Sequence, residues 1–407
     1  MMRRMKNTST VARRNRVHFS VGFVILFVLG FGMSGNAAEL GPVSVHGTFS
    51  QGYIHSQKNN FVKDSKDGTF AFREYGINAV YSVDKWRIGG QVFGRELGSV
   101  ANDRIFLDWL SVDYAMHDAL GFRVGKLKIP YGFYGSTRDI ESLRAEVLLP
   151  QGVYMEYIRG IYNSTWGGEI YGYLPTEKAG GFSYLLQYGV RDIDDGNGEM
   201  ANLLTRSGQT LDEVDEKDSM AASLVWDTPV DGLRLGTTFS WCEFDYSGQL
   251  DPPGPLGLTP YDADVSDFMM CMVSAEYTRG PLTLTSEIMG GSLDAVTRSV
   301  GPTAEYKSEQ LGGYLRGDYY LLDQLALGAG FTYFKINQEI DVGGTVSKAE
   351  EDMKDTFLSL RFDITDNLTL KVEQHYVNGT AGVFSAENPT GQDEHWSMTL
   401  VKLSYFF

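Results

Sequence analysis

Phe182-Ser183-Tyr184-Leu185-Leu186-Gln187-Tyr188-Gly189-Val190-Arg191 places Phe182, Tyr184, Leu186, Tyr188 and Val190 on one face and Ser183, Gln187, Gly189 and Arg191 on the other. A period of two is the mark of a strand with one apolar and one polar face. The same alternation recurs along the chain. Trp86, Ile88, Gly90 and Val92 oppose Arg87, Gly89, Gln91 and Arg95, and Leu358, Leu360, Phe362 and Ile364 oppose Phe357, Ser359, Arg361 and Asp363. Leu368, Leu370, Val372 and Tyr376 oppose Thr369, Lys371, Glu373 and His375. Each run approaches the roughly 9–11 residues that a tilted strand needs to cross a bilayer.

Sixteen such runs are expected, near 43–53, 70–83, 86–95, 104–115, 120–130, 166–174, 182–191, 219–227, 233–244, 268–277, 282–290, 309–321, 325–337, 354–364, 368–377 and 396–407. Alternate connections are short: Asp84-Lys85, Met116 to Ala119, Pro175 to Gly181, Pro229 to Gly232, Thr278 to Pro281, Leu322-Asp323-Gln324 and Thr365-Asp366-Asn367. Every intervening one reads as longer, polar and rich in Gly, Asp, Asn and Ser, such as Asp192 to Lys217 and Gln249 to Asp267. Short turns at one end and long loops at the other are the signature of an up-and-down barrel. The expected fold is all-β: a transmembrane antiparallel up-and-down β-barrel of about 16 strands, with both termini at the short-turn end. Closure removes the edges that so many strands would otherwise expose.

The N-terminal segment stands apart. Arg3, Arg4, Lys6, Arg13, Arg14 and Arg16 precede the apolar core Val21 to Phe31, and small residues lead to Ala37-Ala38. This is the pattern of a secretory signal peptide, expected over 1–38, with the barrel over 39–407. Removing the six basic residues of the leader leaves 29 basic against 52 acidic side chains, a charge of about −23, which argues against nucleic acid as a partner. Mean hydropathy is −0.20 although aromatics reach 13%; alternating faces cancel in a hydropathy scan. Cys242 and Cys271 are the two cysteines. By strand phase the first faces the lumen and the second the lipid, so no bridge is expected between them.

Val401, Leu403, Tyr405 and Phe407 alternate with Lys402 and Ser404, and the chain ends on the aromatic. This resembles the terminal strand of bacterial outer-membrane proteins, which implies recognition of Phe407 by the barrel-assembly machinery. Val124-Gly125-Lys126-Leu127-Lys128-Ile129-Pro130-Tyr131-Gly132 and the aromatic-rich stretch from Arg159 through Tyr173 to Tyr184 resemble the phosphate-selective branch of the Gram-negative porin superfamily. The resemblance implies a homotrimeric sixteen-stranded channel for small hydrophilic solutes, narrowed by an inward-folded third loop. Here that loop is 131–165.

Its own residues suggest how it would act. Ser136-x-x-Asp139 reads as a helix start, Ile140, Leu143, Val147 and Leu148 follow at helical spacing, and Pro150 ends the segment. The polar face would then carry Arg138, Asp139, Glu141, Arg144 and Glu146 toward lumen water, or toward solvent if the segment is a surface loop helix. Strand phase turns Arg87, Arg95, Arg123, Arg191, Arg234, Arg316 and Arg361 inward, where loop acids facing a row of Arg would set up a transverse field. Asp113, Glu169, Glu276, Glu287, Asp318 and Glu373 also point inward, so the wall is mixed rather than strongly basic.

Other classes find little support. G-x-S-x-G, H-E-x-x-H, a Gly-rich phosphate loop and C-x-x-C-H are missing, so neither an enzyme nor a cofactor is expected. Acidic runs at Asp192, Asp194, Asp195 and Glu199, at Asp212, Glu213, Asp215 and Glu216, and at Glu350, Glu351 and Asp352 read as outer-loop charges. They keep the loops soluble or meet lipopolysaccharide through divalent cations, with no calcium-loop pattern to name ligands. The competing reading is a barrel that sheathes a periplasmic or cytochrome partner, which would need a wide lumen without a charged inner loop.

Overall fold

The computed structural model describes residues 38–62, 64–194, 198–250 and 259–407, and in it sixteen antiparallel strands close into one up-and-down barrel. The first strands are β1 (Val43–Gln57), β2 (Phe72–Val83), β3 (Trp86–Leu97), β4 (Ala101–His117), β5 (Leu120–Lys128) and β6 (Ser164–Thr176). Then follow β7 (Gly180–Arg191), β8 (Glu213–Asp227), β9 (Leu233–Leu250), β10 (Thr259–Arg279) and β11 (Leu282–Arg298). The last are β12 (Ala304–Leu322), β13 (Leu325–Val342), β14 (Thr345–Thr365), β15 (Leu368–Gly379) and β16 (His395–Phe406). Each of the sixteen expected runs lies on one of them. The seam is β16 on β1, running from Ser397↔Gln57 to Phe406↔Thr48 and extended by reciprocal Gly47–Phe407 backbone bonds of 3.0 Å. The short segment Ala38–Leu40 pairs with the start of β1; the rest of the expected leader lies outside the described residues.

Alternation sorts the two faces. Trp86, Ile88 and Val92, Leu186 and Tyr188, and Leu358 and Phe362 are exposed on the outside, where lipid would cover them. Aromatics gather near the turns, as with the Trp86–Tyr114 pair at 4.6 Å and the stacked Phe182–Trp226 pair, and form the girdle expected of a membrane barrel. Cys242 is buried, Cys271 exposed, and both are free, as their phases require.

Three expectations need correction. The outer connections are not all long: β13 and β14 are joined by Gly343-Gly344 alone, both at positive φ, and β3 and β4 by 98–100. The strands simply continue past the apolar band, so Glu350, Glu351 and Asp352 lie in β14, paired with Asn337, Ile336 and Lys335, not in a loop. Glu213, Asp215 and Glu216 likewise belong to β8. Finally, the third loop contains no α-helix: Gly135–Thr137, Glu141–Leu143 and Glu156–Tyr162 are 3₁₀ turns. The backbone leaves helical geometry at Ile140 and is extended at Arg144, while Ile140 and Leu143 are exposed and Val147 and Leu148 buried. Helical spacing fails here because the charges of the segment take partners a helix could not offer together: Arg138 and Arg144 bind within the loop, while Asp139, Glu141 and Glu146 reach wall lysines and arginines on four strands.

Candidate functional site

The third loop, L3, leaves β5 at Lys128 and returns to β6 at Ser164. A bulge in β4 where Gln91 and Val92 meet Trp109 and Leu107 turns Asp108 inward. Its buried carboxylate accepts Lys128 Nζ (2.6 Å), Asn163 Nδ2 (2.9 Å) and Gln91 Nε2 (2.9 Å), and so binds both roots of the loop.

From there L3 crosses the lumen. Glu287 on β11 receives the Phe133 N–H (2.8 Å), Ser274 Oγ (2.5 Å), Tyr154 Oη (2.5 Å) and Tyr314 Oη (2.7 Å). Four neutral donors satisfy both carboxylate oxygens at a residue with no exposed surface. On the other side of the loop, Glu141 is the acceptor for Lys371 of β15 (2.8 Å), Lys402 of β16 (2.7 Å) and its neighbour Arg144. Burial alone would raise the Glu141 carboxyl, but Arg144, Lys371 and Lys402 outweigh it and hold it well below the usual carboxylate range. Arg361 of β14 donates to the carbonyls of Ser142 (2.6 Å) and Arg144 (3.1 Å). Glu146 pairs with Arg316 of β12, and Glu373 of β15 accepts the Leu148 N–H at 3.1 Å.

The returning half of L3 faces β2, β3 and β7. Arg95 of β3 meets Glu156, which also receives Arg138 at 2.9 Å. Arg159 pairs with Asp139 and reaches Glu74 of β2 at 3.2 Å; Arg191 of β7 donates to the Ile161 carbonyl at 3.4 Å. Burial, with Arg95 and Arg138 close by, pulls the Arg159 guanidinium down to about 9, so it stays charged at neutral pH.

These contacts join into one ion-pair network. Its cations are Lys128, Arg95, Arg138, Arg144, Arg159, Lys371 and Lys402, and its anions Glu74, Asp108, Asp139, Glu141, Glu156 and Glu199. Of the sequence-derived loop residues, Arg138, Asp139, Glu141 and Arg144 belong to it and Glu146 pairs beside it with Arg316, all 0–7% exposed. They are not a solvated face. Of the three wall arginines, Arg95 belongs to the network, whereas Arg87 and Arg123 sit apart on Asp113 at 3.0 Å, with Arg123 also on Glu169 at 2.7 Å. Glu74, Lys371, Lys402, Glu156 and Arg159 had no place in the sequence reading of the site. Strand phase alone could have marked the first three as inward charges.

Apolar side chains pack around the network. Val147, Leu149, Val153, Tyr154 and Met155 of L3 join one core with inward residues of the wall, among them Phe244, Phe268, Met270, Met272, Met289, Phe334, Met398 and Leu400. The outer loops close over it: Phe61 and Val62 of the first, Met200 and Leu204 of α1 (Glu199–Arg206) in the fourth, and Ala381 and Val383 of the eighth. Backbones touch as well, since a Cβ at Gly312 would land on the Gly152 carbonyl oxygen. A cavity of about 310 Å³ remains between L3 and the fourth loop, lined by Arg95, Arg104, Lys126, Arg159, Asn163 and Glu199 among others.

No protein-family model matches this chain, and no curated protein matches it by sequence. Solved structures do match its fold. In-vitro folded OmpT, an outer membrane protein of Vibrio cholerae, is 14% identical over 91% of this chain and 100% of its own, with a TM-score of 0.56. The outer membrane channel DcaP of Acinetobacter baumannii is 11% identical over 92% and 100%, with a TM-score of 0.52. An anion-selective porin from Comamonas acidovorans is 12% identical over 90% and 99%, with a TM-score of 0.50. At these identities the likeness is one of fold.

Proposed function

We propose that the chain is an outer-membrane porin, a channel for passive diffusion of small hydrophilic solutes and ions, narrowed by the charged loop 131–165. The observation that carries this reading is a closed sixteen-stranded barrel, apolar outside, with that loop bound inside by charges. Arg138, Asp139, Glu141, Arg144 and Glu146 with Arg95 set the narrow zone, and Arg87 and Arg123 line the wall toward the short turns. Fold likeness to OmpT, described as an outer membrane protein, and to DcaP, described as an outer membrane channel, supports the same location. Export through a cleaved leader over 1–38, assembly through Phe407, a homotrimer and outer-loop contact with lipopolysaccharide complete the proposal. The sheath reading gains nothing, because L3 takes the space a protein partner would need.

Selectivity within the porins is open to measurement. The likeness of residues 124–132 to the phosphate-selective branch implies anion preference, while inward Asp113, Glu169 and Glu276 temper it. The test is single-channel conductance of the refolded chain in planar bilayers, with reversal potential under gradients of chloride and of phosphate. Stepwise openings in threes support a trimeric porin. A correctly folded barrel that never conducts in any solution refutes the channel.

A further inference from the structure

Glu199 is a carboxylate seated in a site that L3 and the wall build without it. Arg95 presents one edge of its guanidinium, Nε at 2.7 Å and Nη2 at 2.5 Å, to Glu199 Oε1, and the Gly160 N–H reaches Oε2 at 2.5 Å. A planar fork on one oxygen and a backbone amide on the other is how a protein grips a free carboxylate. Both Arg95 and Arg159 are at least nine-tenths buried, and the 310 Å³ cavity opens directly onto them. Volume of this order suits a small solute.

Both signs of charge line the cavity, where Asp192 pairs with Lys126 and Asp194 with Arg104, and Glu199 differs from them in what carries it. Among the described residues the L3 network holds seven cations and, apart from Glu199, five carboxylates. Glu199 is the sixth carboxylate of that network. It is the only anion of the network carried by an outer loop other than L3, on the first residue of α1. That helix is pinned by Asn202 to the Val100 carbonyl (3.0 Å), and by Arg206 to Ser99 (2.7 Å), Glu387 (3.1 Å) and the Phe384 ring (4.5 Å). These are contacts to two other outer loops, not to the strands below L3.

The inward positions of the wall are buried on every side of L3, for instance Gln91 on β3, Cys242 on β9, Met272 on β10, Thr332 on β13, Phe357 on β14 and Leu400 on β16. At the level of L3 these inward positions are shielded from water. We propose that Glu199 is a resident stand-in for a small carboxylate solute, and that such a solute, by taking its place on Arg95 and Gly160, releases α1 and opens the path beside L3. The inference rests on the channel reading. It makes the pore solute-gated, with small carboxylates as the favoured cargo.

The experiment compares the full-length chain with Glu199→Gln, using succinate as the probe, by calorimetry in detergent and by conductance in bilayers. A site occupied by its own side chain nine-tenths of the time binds about tenfold more weakly than a vacant one. Glu199→Gln, which loses the charge and keeps the shape, should therefore bind succinate about tenfold more tightly than the parent. In bilayers the parent should conduct little in chloride and more as succinate is added, while Glu199→Gln conducts from the start. Removal of the fork by Arg95→Gln should abolish succinate binding in the Glu199→Gln background. Arg95→Lys, with a point charge in place of the fork, should weaken it, and serves if the first variant does not fold. Equal succinate binding by parent and Glu199→Gln, or steady conductance in both that ignores succinate, overturns the gate and leaves the porin intact. Tight binding to Glu199→Gln in a barrel that never conducts keeps the site and refutes the channel.

Discussion

Replacing Glu141 by Gln should free L3 from the wall without unfolding the barrel. The carboxylate is 3% exposed and answers three cations, Lys371 and Lys402 at 0% and Arg144 at 7%. Lys402 keeps Glu74, but Lys371 is left with the carbonyls of residues 141 and 146 and no counter-charge. Removing one partner from a buried ion pair costs about 3–5 kcal/mol, because the other charge is stranded in low dielectric. The strand ladders do not depend on Glu141, so the cost falls on the docked state of L3. Cys242 reports it: the thiol is fully buried in the core that includes Tyr162 of L3. In a Cys271→Ser background, a charged maleimide should label Cys242 faster in Glu141→Gln by about two to three and a half powers of ten, the equivalent of that energy in opening equilibrium. A folded barrel whose Cys242 labels at the parental rate would refute the claim that Glu141 holds L3 down.

The Glu287 site should respond differently. Glu287→Gln can turn its amide toward Tyr154 and Tyr314, whose hydroxyls can rotate to accept, and should shift the urea midpoint little; Glu287→Ala strands the Phe133 N–H and should cost about 1–3 kcal/mol per donor left unpaired. Gly312→Ala places a methyl against the Gly152 carbonyl and should raise Cys242 labelling with the ladder of β12 intact. Acid should act late on the clasp. Because the folded Glu141 carboxyl titrates well below its ordinary 4.5, its stabilisation is full above that value and fades only as pH falls toward the depressed one. Labelling of Cys242, divided at each pH by the rate of a free thiol to remove the loss of thiolate, should therefore stay flat from neutral pH to about 5 and climb below it; a rise of that ratio already near pH 6 would contradict this assignment.

The barrel was legible because its signal is local. One strand's alternation, Phe182 to Val190 against Ser183 to Arg191, needs no knowledge of any other strand, and short turns such as Asp84-Lys85 fix the pairing. Strand ends were hidden where the signal stops: Thr345 to Asp352 has no apolar face to show, yet the ladder to β13 carries it as strand. L3 was hidden for the opposite reason. Its conformation is set by partners far along the chain, Lys371 at a separation of 230 residues and Lys402 at 261. Ile140 and Leu143, which looked like a buried helical face, are exposed because Glu141 between them turns to Lys371 and Lys402 of the wall.

The same distribution of charge bears on why the loop lies inside at all. An isolated inward Lys371 or Lys402 could stand in lumen water at little cost, and so could Glu74. Once L3 brings Tyr154, Val147 and Leu149 against Met272, Met289 and Phe334, water is displaced and every one of those charges must find a partner. Pairing is what makes the apolar core tolerable, and the core is what makes each pair matter. In the network that results, Glu199 is the one carboxylate supplied by an outer loop other than L3. Asp113, Arg123 and Glu169 below it form a separate cluster in which each charge already has its partner, so the strain of an unpaired charge would fall on L3 and not on the lower wall.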